Sequence, residues 1–204
     1  AGDDAILSAI IQEMQEIDPY MPITVLSRRP DRTRITYRVD AIHTFNIPKW
    51  RRRMRHTRLY ISGGGSLIQD VTSRRSLWYY LYNIRVAKKK KNMVMMYGCG
   101  IGPVIRENHQ RLAAKCMNRY VDAITLREPD SLRDLRNMGV DQPETDLSAD
   151  PALTLSGAPA EVVDSAMLSH GVAPEGNYIC FALRKWPGIE DKLDAIRAAA
   201  VHAY

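Results

Sequence analysis

Apolar and polar positions along this chain follow two rhythms. Near the start, Ile6, Leu7, Ile10, Ile11 and Met14 recur at helical spacing, which predicts a helix over Asp3–Ile17 with one apolar face. Further on, short unbroken apolar runs at Ile23–Leu26, Leu59–Ser62, Met93–Tyr97 and Ala123–Leu126 predict strands covered on both faces. Helical stretches separate them: Pro48–His56, Ser76–Lys89, Ile105–Arg119 and Pro129–Met138, the last opened by Pro129 and stopped by Gly139. The basic stretch Arg28–Phe45 is expected to hold an extended segment at Ile35–Val39. Alternation of this kind implies right-handed βαβ units and a parallel sheet with helices on both faces, an α/β fold.

The pattern changes after Leu155. Ser156-Gly157-Ala158-Pro159 and Gly171–Gly176 punctuate a short segment, and a fresh strand (Tyr178–Leu183) and helix (Ile189–Ala203) follow. The expected organisation is a Rossmann-like domain over residues 1–156, a connector over 157–176, and the start of a second Rossmann-like domain over 177–204. No strand precedes the first helix and the last helix is interrupted, so the sequence reads as cut at both ends.

Two apolar runs end in glycine clusters, Gly63-Gly64-Gly65-Ser66 and Gly98-Cys99-Gly100-Ile101-Gly102-Pro103. Each is expected to open a helix whose free N–H groups suit an anion. The same residues equally suit tight turns under closely packed helices. Neither is a Walker loop or a GxGxxG fingerprint. Arg127, at the carboxyl end of the Ala123–Leu126 run, faces the expected ligand crevice, where its planar fork can grip a carboxylate or phosphate. Arg184 repeats that position after Tyr178–Leu183. Ser66 is a candidate hydroxyl donor. The five histidines have no metal-ligand spacing, no Ser or Cys sits in a nucleophile-elbow pattern, and no paired-carboxylate signature is visible.

Charge changes the picture of partners. Residues 1–100 hold 18 Lys/Arg against 8 Asp/Glu, while the whole chain carries +6. The basic clusters are Arg28/Arg29/Arg32/Arg34/Arg38, Arg51/Arg52/Arg53/Arg55/Arg58, Arg74/Arg75 and Lys88–Lys91. They suit a solvated face, an anionic membrane surface or an anionic glycolipid. No nucleic-acid-binding motif accompanies them. No apolar run is long enough to span a bilayer. Cys99, Cys116 and Cys180, widely spaced in apolar surroundings, are expected to be reduced, buried thiols of a cytoplasmic protein.

Gly2-Asp3-Asp4-Ala5-Ile6-Leu7, Ser62-Gly63-Gly64-Gly65-Ser66-Leu67-Ile68-Gln69-Asp70, Gly100-Ile101-Gly102-Pro103, Leu126-Arg127-Glu128-Pro129-Asp130-Ser131 with Leu135 and Gly139-Val140, and Asp150-Pro151-Ala152 follow in order. This ordered set resembles the polysaccharide pyruvyltransferase family across nearly the whole chain. The resemblance implies a GT-B-like fold of two Rossmann-type domains, phosphoenolpyruvate as donor substrate with no further cofactor, and a sugar of a lipid-linked or wall polysaccharide as acceptor. The product would be a pyruvate ketal, which in bacteria with surface layers gives the wall polymer its negative charge and anchors the layer. It implies donor or acceptor binding by Asp3, Gly63, Gly64, Gly65, Ser66, Gly100, Arg127 and Arg184. The family's Arg-x-His motif is expected beyond Tyr204, so the catalytic acid is not among these residues and this stretch alone is expected to be inactive. A cytoplasmic site, peripheral at the inner membrane face, follows from such an acceptor. Two other readings remain open from the residues: a GT-B glycosyltransferase using a nucleotide sugar, and a non-catalytic basic module that binds anions.

Overall fold

The computed structural model describes residues 2–71, 73–176, 179–181, 183 and 188–203. The chain divides into two compact units, Ala1–Leu155 and Ser156–Tyr204.

The first unit is an α/β structure with parallel strands. Helix α1 (Gly2–Ile17) leads, with Ile6, Ala9 and Ile11 buried. Strands β1 (Thr24–Ser27) and β2 (Asp40–His43) form a two-stranded parallel sheet joined by α2 (Pro30–Tyr37). The extended segment expected at Ile35–Val39 is therefore wrong. Pro30 pre-sets the first turn of α2, the Thr33 hydroxyl donates to Arg29 O at 3.1 Å, and Arg34 pairs with Asp31 at 2.6 Å. The helix stops at Arg38 in the left-handed region (φ 54), and the strand begins only at Asp40, where Ala41 and Ile42 are buried.

Helix α3 (Ile47–Arg53) is capped by Asn46, whose side-chain oxygen accepts from the Lys49 N–H at 3.2 Å, and runs into a 3-10 turn, Met54–His56. The main sheet follows. Its strands β3 (Leu59–Gly63), β5 (Met93–Ile101), β6 (Ala123–Leu126) and β7 (Glu144–Leu147) lie in that order, all parallel. A short β4 (Ser66–Ile68) resumes pairing with the far end of β5, where β3 leaves off. Helices α4 (Arg74–Lys89), α5 (Glu107–Tyr120) and α6 (Pro129–Met138) make the crossovers.

One core unites these elements. Val94 and Met96 of β5, Ile124 and Leu126 of β6, Leu77 and Ile84 of α4, Met117 of α5 and Leu135 of α6 are almost fully buried in it. Helix α6 has the predicted bounds. Pro129 opens it, and Gly139 (φ 79) closes it with its N–H on Arg136 O at 3.0 Å. Among the described residues, no helix is long and apolar enough to cross a membrane.

The second unit carries α7 (Ala160–Ser169), a 3-10 turn at Glu190–Lys192 and α8 (Leu193–Ala203). Helix α7 lies where the pattern reads as a connector. The expected strand Tyr178–Leu183 is described only at Ile179–Phe181 and Leu183, and these residues are not in a strand. A strand needs a hydrogen-bonding neighbour, and among the described residues this unit offers none.

Candidate functional site

The glycine clusters do not open helices. After Gly65 the chain enters β4, and Gly98 and Gly100 lie inside β5. Their amides bind one another's strands: Gly64 N–H donates to Tyr97 O at 3.0 Å, Gly100 N–H to Gly65 O at 2.8 Å, and Gly102 N–H to Ile68 O at 2.7 Å. The helix starts downstream are also provided for. Ser73 Oγ accepts from the Ser76 N–H at the head of α4. Just ahead of α5, the Asp70 carboxylate accepts from the amides of Ile105 at 2.8 Å and Arg106 at 3.3 Å. An internal carboxylate thus occupies the place where an anionic ligand was expected.

Asp70 is fixed further by His109 Nδ1 at 2.7 Å, and both side chains are buried. Burial pushes the Asp70 carboxyl up. The Ile105 amide, His109 and the Arg106 amide outweigh that and hold it below the ordinary carboxylate range. The pair ties the turn after β4 to the first turn of α5. Sequence reasoning grouped Asp70 with the glycine loop but gave His109 no role. The 39-residue separation of the partners hides the pair.

The glycines of the first cluster serve two different ends. A Cβ on Gly63 would lie 2.4 Å from Ile10 Cδ1, and one on Gly64 would lie 2.1 Å from Ile6 Cγ2. Those two positions let α1 press onto the sheet, which is the packing alternative. Gly65 differs: its nearest neighbours are Asp3 Oδ1 and Leu67 Cδ2, both 4.0 Å from a Cβ. It adopts φ +68 without close packing.

Polar side chains meet at Gly100. A Cβ there would lie 2.9 Å from Ser66 Oγ, 2.9 Å from Glu128 Oε1 and 3.4 Å from Arg127 Nη2. Arg127 leaves the end of β6 with its N–H on Cys99 O at 3.4 Å. Its Nη1 donates to Asp150 Oδ2 at 2.8 Å. The two side chains are 24% and 30% exposed, so solvent reaches the pair without flooding it. Asp150 Oδ1 meanwhile accepts from the Ala152 N–H at 3.0 Å and caps the 3-10 turn Pro151–Thr154. Pro151 of that turn sits on Gly98, where a Cβ would come within 2.3 Å of its ring. Glu128 accepts from Ser131 Oγ at 2.9 Å, and Ser131 in turn accepts from the Ile101 N–H at 2.8 Å.

The start of β4 and the carboxyl ends of β5 and β6 therefore gather Ser66, Gly100, Arg127, Glu128 and Asp150, with Asp3 facing neighbouring Gly65. One cation is held by one carboxylate, with a hydroxyl and a second carboxylate beside it. Such a cluster can bind an anionic group through Arg127 Nη2 and Ser66 Oγ, and can hold or pass a proton at Glu128. Glu128 and Asp150 stood in the quoted motifs without a role. Arg184 lies outside the described residues.

Three further groups near the sheet are unreactive by environment. A hydrogen bond to the Glu13 carboxylate, helped by burial, raises the Tyr97 phenol to about 12. Burial raises the Cys99 thiol to about 12 and that of Cys116 to about 11. The expectation of three buried thiols fails at Cys180, which is exposed. Its apolar neighbours Ile179, Phe181 and Leu183 are exposed with it, because among the described residues no sheet covers them.

No curated protein and no solved structure shows a significant match to this chain. The sequence model of one family, polysaccharide pyruvyl transferase, matches residues 1–202. With β-strand ends that converge on Arg127, and with the match covering nearly every residue, the chain belongs to the polysaccharide pyruvyl transferase family.

Proposed function

We propose that this chain contributes to pyruvyl transfer from phosphoenolpyruvate to a sugar of a cell-wall or surface polysaccharide precursor. Family membership supports the reaction type. The observation that carries the site is the gathering of Ser66, Gly100, Arg127 and Glu128 at the carboxyl edge of a parallel sheet, the usual place for a ligand crevice in such folds.

Phosphoenolpyruvate presents a carboxylate and a phosphate. Arg127 Nη2 and Ser66 Oγ are suited to one of these groups. Asp150 holds the guanidinium in place through Nη1, which limits the rotamer freedom lost on binding. In the reaction, a proton adds to the methylene carbon and C2 becomes electrophilic. One sugar hydroxyl forms a bond to C2 and gives up its proton. The C2–O bond to phosphate then breaks, and a second hydroxyl of the same sugar adds to C2 with loss of its proton. The products are the ketal and inorganic phosphate. Fixed donors at the anionic groups stabilise the charge that develops. The GT-B arrangement belongs to this proposal, with Arg184 as a further donor-binding candidate.

The test is calorimetric titration of phosphoenolpyruvate into the wild-type chain, Arg127→Ala and Asp150→Asn. Saturable donor binding, weakened at least tenfold in Arg127→Ala and less in Asp150→Asn, is the expected result. Equal binding by Arg127→Ala and wild type would remove Arg127 from the site. Nucleotide-sugar binding with no phosphoenolpyruvate binding would overturn the donor assignment.

A further inference from the structure

Helix α4 carries a face that its role in the sheet leaves unused. Leu77, Leu81, Ile84 and Ala87 bury its inner side, and Lys88 turns away to pair with Asp122. On the outside, Arg74, Arg75, Trp78, Tyr82, Arg85 and Lys89 are all exposed. At 3.6 residues per turn these six positions fall within roughly 100° of arc. They make a single stripe in which two aromatic rings lie between basic side chains. Trp78 is 53% exposed and Tyr82 40%, which is unusual for rings of this size.

The stripe continues onto α3. The Tyr82 ring meets Trp50 edge-on, with centroids 6.0 Å apart. Beside Trp50, Lys49, Arg51, Arg52 and Arg55 are exposed, together with Phe45 and Ile47. Arg53 of α3 pairs with Asp40 and Lys88 of α4 with Asp122, but among the described residues none of the stripe's own basic side chains is in an ion pair. From Ala41 to Arg106 the only acidic residue is Asp70, and its side chain is buried. A merely solvated helix face would mix charge signs and would not expose tryptophan.

We propose that the α3–α4 face docks the protein on an anionic lipid bilayer, lying in the headgroup region. Basic side chains would meet lipid phosphates, while Trp78, Tyr82, Phe45 and Ile47 would enter the boundary with the acyl chains. Charge complementarity selects the anionic surface, and the exposed rings select a membrane over a purely polar polyanion. The geometry also aims the site. In a βαβ crossover the helix runs back against its strands, so the Arg74/Arg75 end of α4 lies at the carboxyl edge of the sheet, on the same edge as Arg127. A docked protein would hold that edge near the lipid surface, whatever reaction it catalyses there.

The test is co-sedimentation of the full chain with phosphatidylcholine vesicles, with and without phosphatidylglycerol, over a series of salt concentrations. Wild type, Arg74→Glu/Arg75→Glu/Arg85→Glu and Trp78→Ala/Tyr82→Ala are compared. Circular dichroism melts check that these exposed positions leave the fold intact. The expected result is binding to the anionic vesicles only, weakened by salt. Each basic contact near such a surface is worth roughly fivefold, so the triple reversal should lose about a hundredfold. Removing the aromatic pair should lose roughly tenfold or more. Binding to heparin or RNA without binding to anionic vesicles would overturn the proposal. So would vesicle binding unchanged in either folded variant.

Discussion

The closeness of α1 to the glycine turn gives a measurable prediction. In Gly64→Ala the new Cβ would sit 2.1 Å from Ile6 Cγ2 and 3.0 Å from Ile6 Cβ. Ordinary carbon contacts lie near 3.5–4.0 Å, so the overlap is roughly 1.4 Å or more. The alanine would also have to hold φ +67, which costs roughly 1–2 kcal/mol. Overpacking against a helix that cannot retreat adds about 1–3 kcal/mol. The sum is about 2–5 kcal/mol. Gly65→Ala is the internal control. Its φ is +68, but the nearest atoms are 4.0 Å away, so only the backbone cost applies. The difference between the two variants isolates the packing of α1, at about 1–3 kcal/mol. Urea unfolding followed by far-UV circular dichroism gives both values. Ile6→Ala supplies the second leg of a double-mutant cycle, because truncating Ile6 removes the atom that clashes. The double variant should be more stable than additivity predicts by about 1 kcal/mol or more. Equal destabilisation by Gly64→Ala and Gly65→Ala, or strict additivity with Ile6→Ala, would refute the packing argument.

Other outcomes follow from the same geometry. Asp70→Ala leaves His109 and two amides without their acceptor, and should cost about 1–3 kcal/mol, read from the same urea transitions. The folded-state carboxyls of Asp70 and Asp122 are held below their ordinary value. For Asp122, burial raises it, while the Lys88 ion pair and the Val94 amide outweigh that. The stability they add is complete above the unfolded carboxylate range, and is lost as pH falls below about 4 through the folded values. Unfolding free energy measured from pH 6 to pH 2 should fall on the acid side, with a shallower fall in Asp122→Asn. Thiol titration at neutral pH should find Cys180 alone reactive, because burial keeps Cys99 and Cys116 protonated. Rapid labelling of Cys99 in the folded chain would contradict its buried setting.

The sequence by itself determined the alternation of elements and the strand end that carries Arg127. A strand covered on both faces must be apolar throughout, and a surface helix must repeat near 3.6, so β5, β6, α5 and α6 declare themselves locally. Pro129 and Gly139 fix the bounds of α6 for equally local reasons, through a preset φ and a left-handed stop. Strands β2, β4 and β7 were not legible: unlike the equally short β6, none stands out as an apolar run, and each is fixed by pairing with a neighbour. The tertiary structure alone decided what the glycines do. Gly63 and Gly64 yield space to Ile10 and Ile6, residues more than fifty positions earlier, while Gly65 stays open. It also decided the partners of the charged groups. Asp70 reached the amides ahead of α5, and Asp150 reached Arg127 across 23 residues. Local pattern records which face of an element is apolar. It does not record which distant charge will neutralise a buried or half-buried one, because that energy depends on a distance only the folded chain sets.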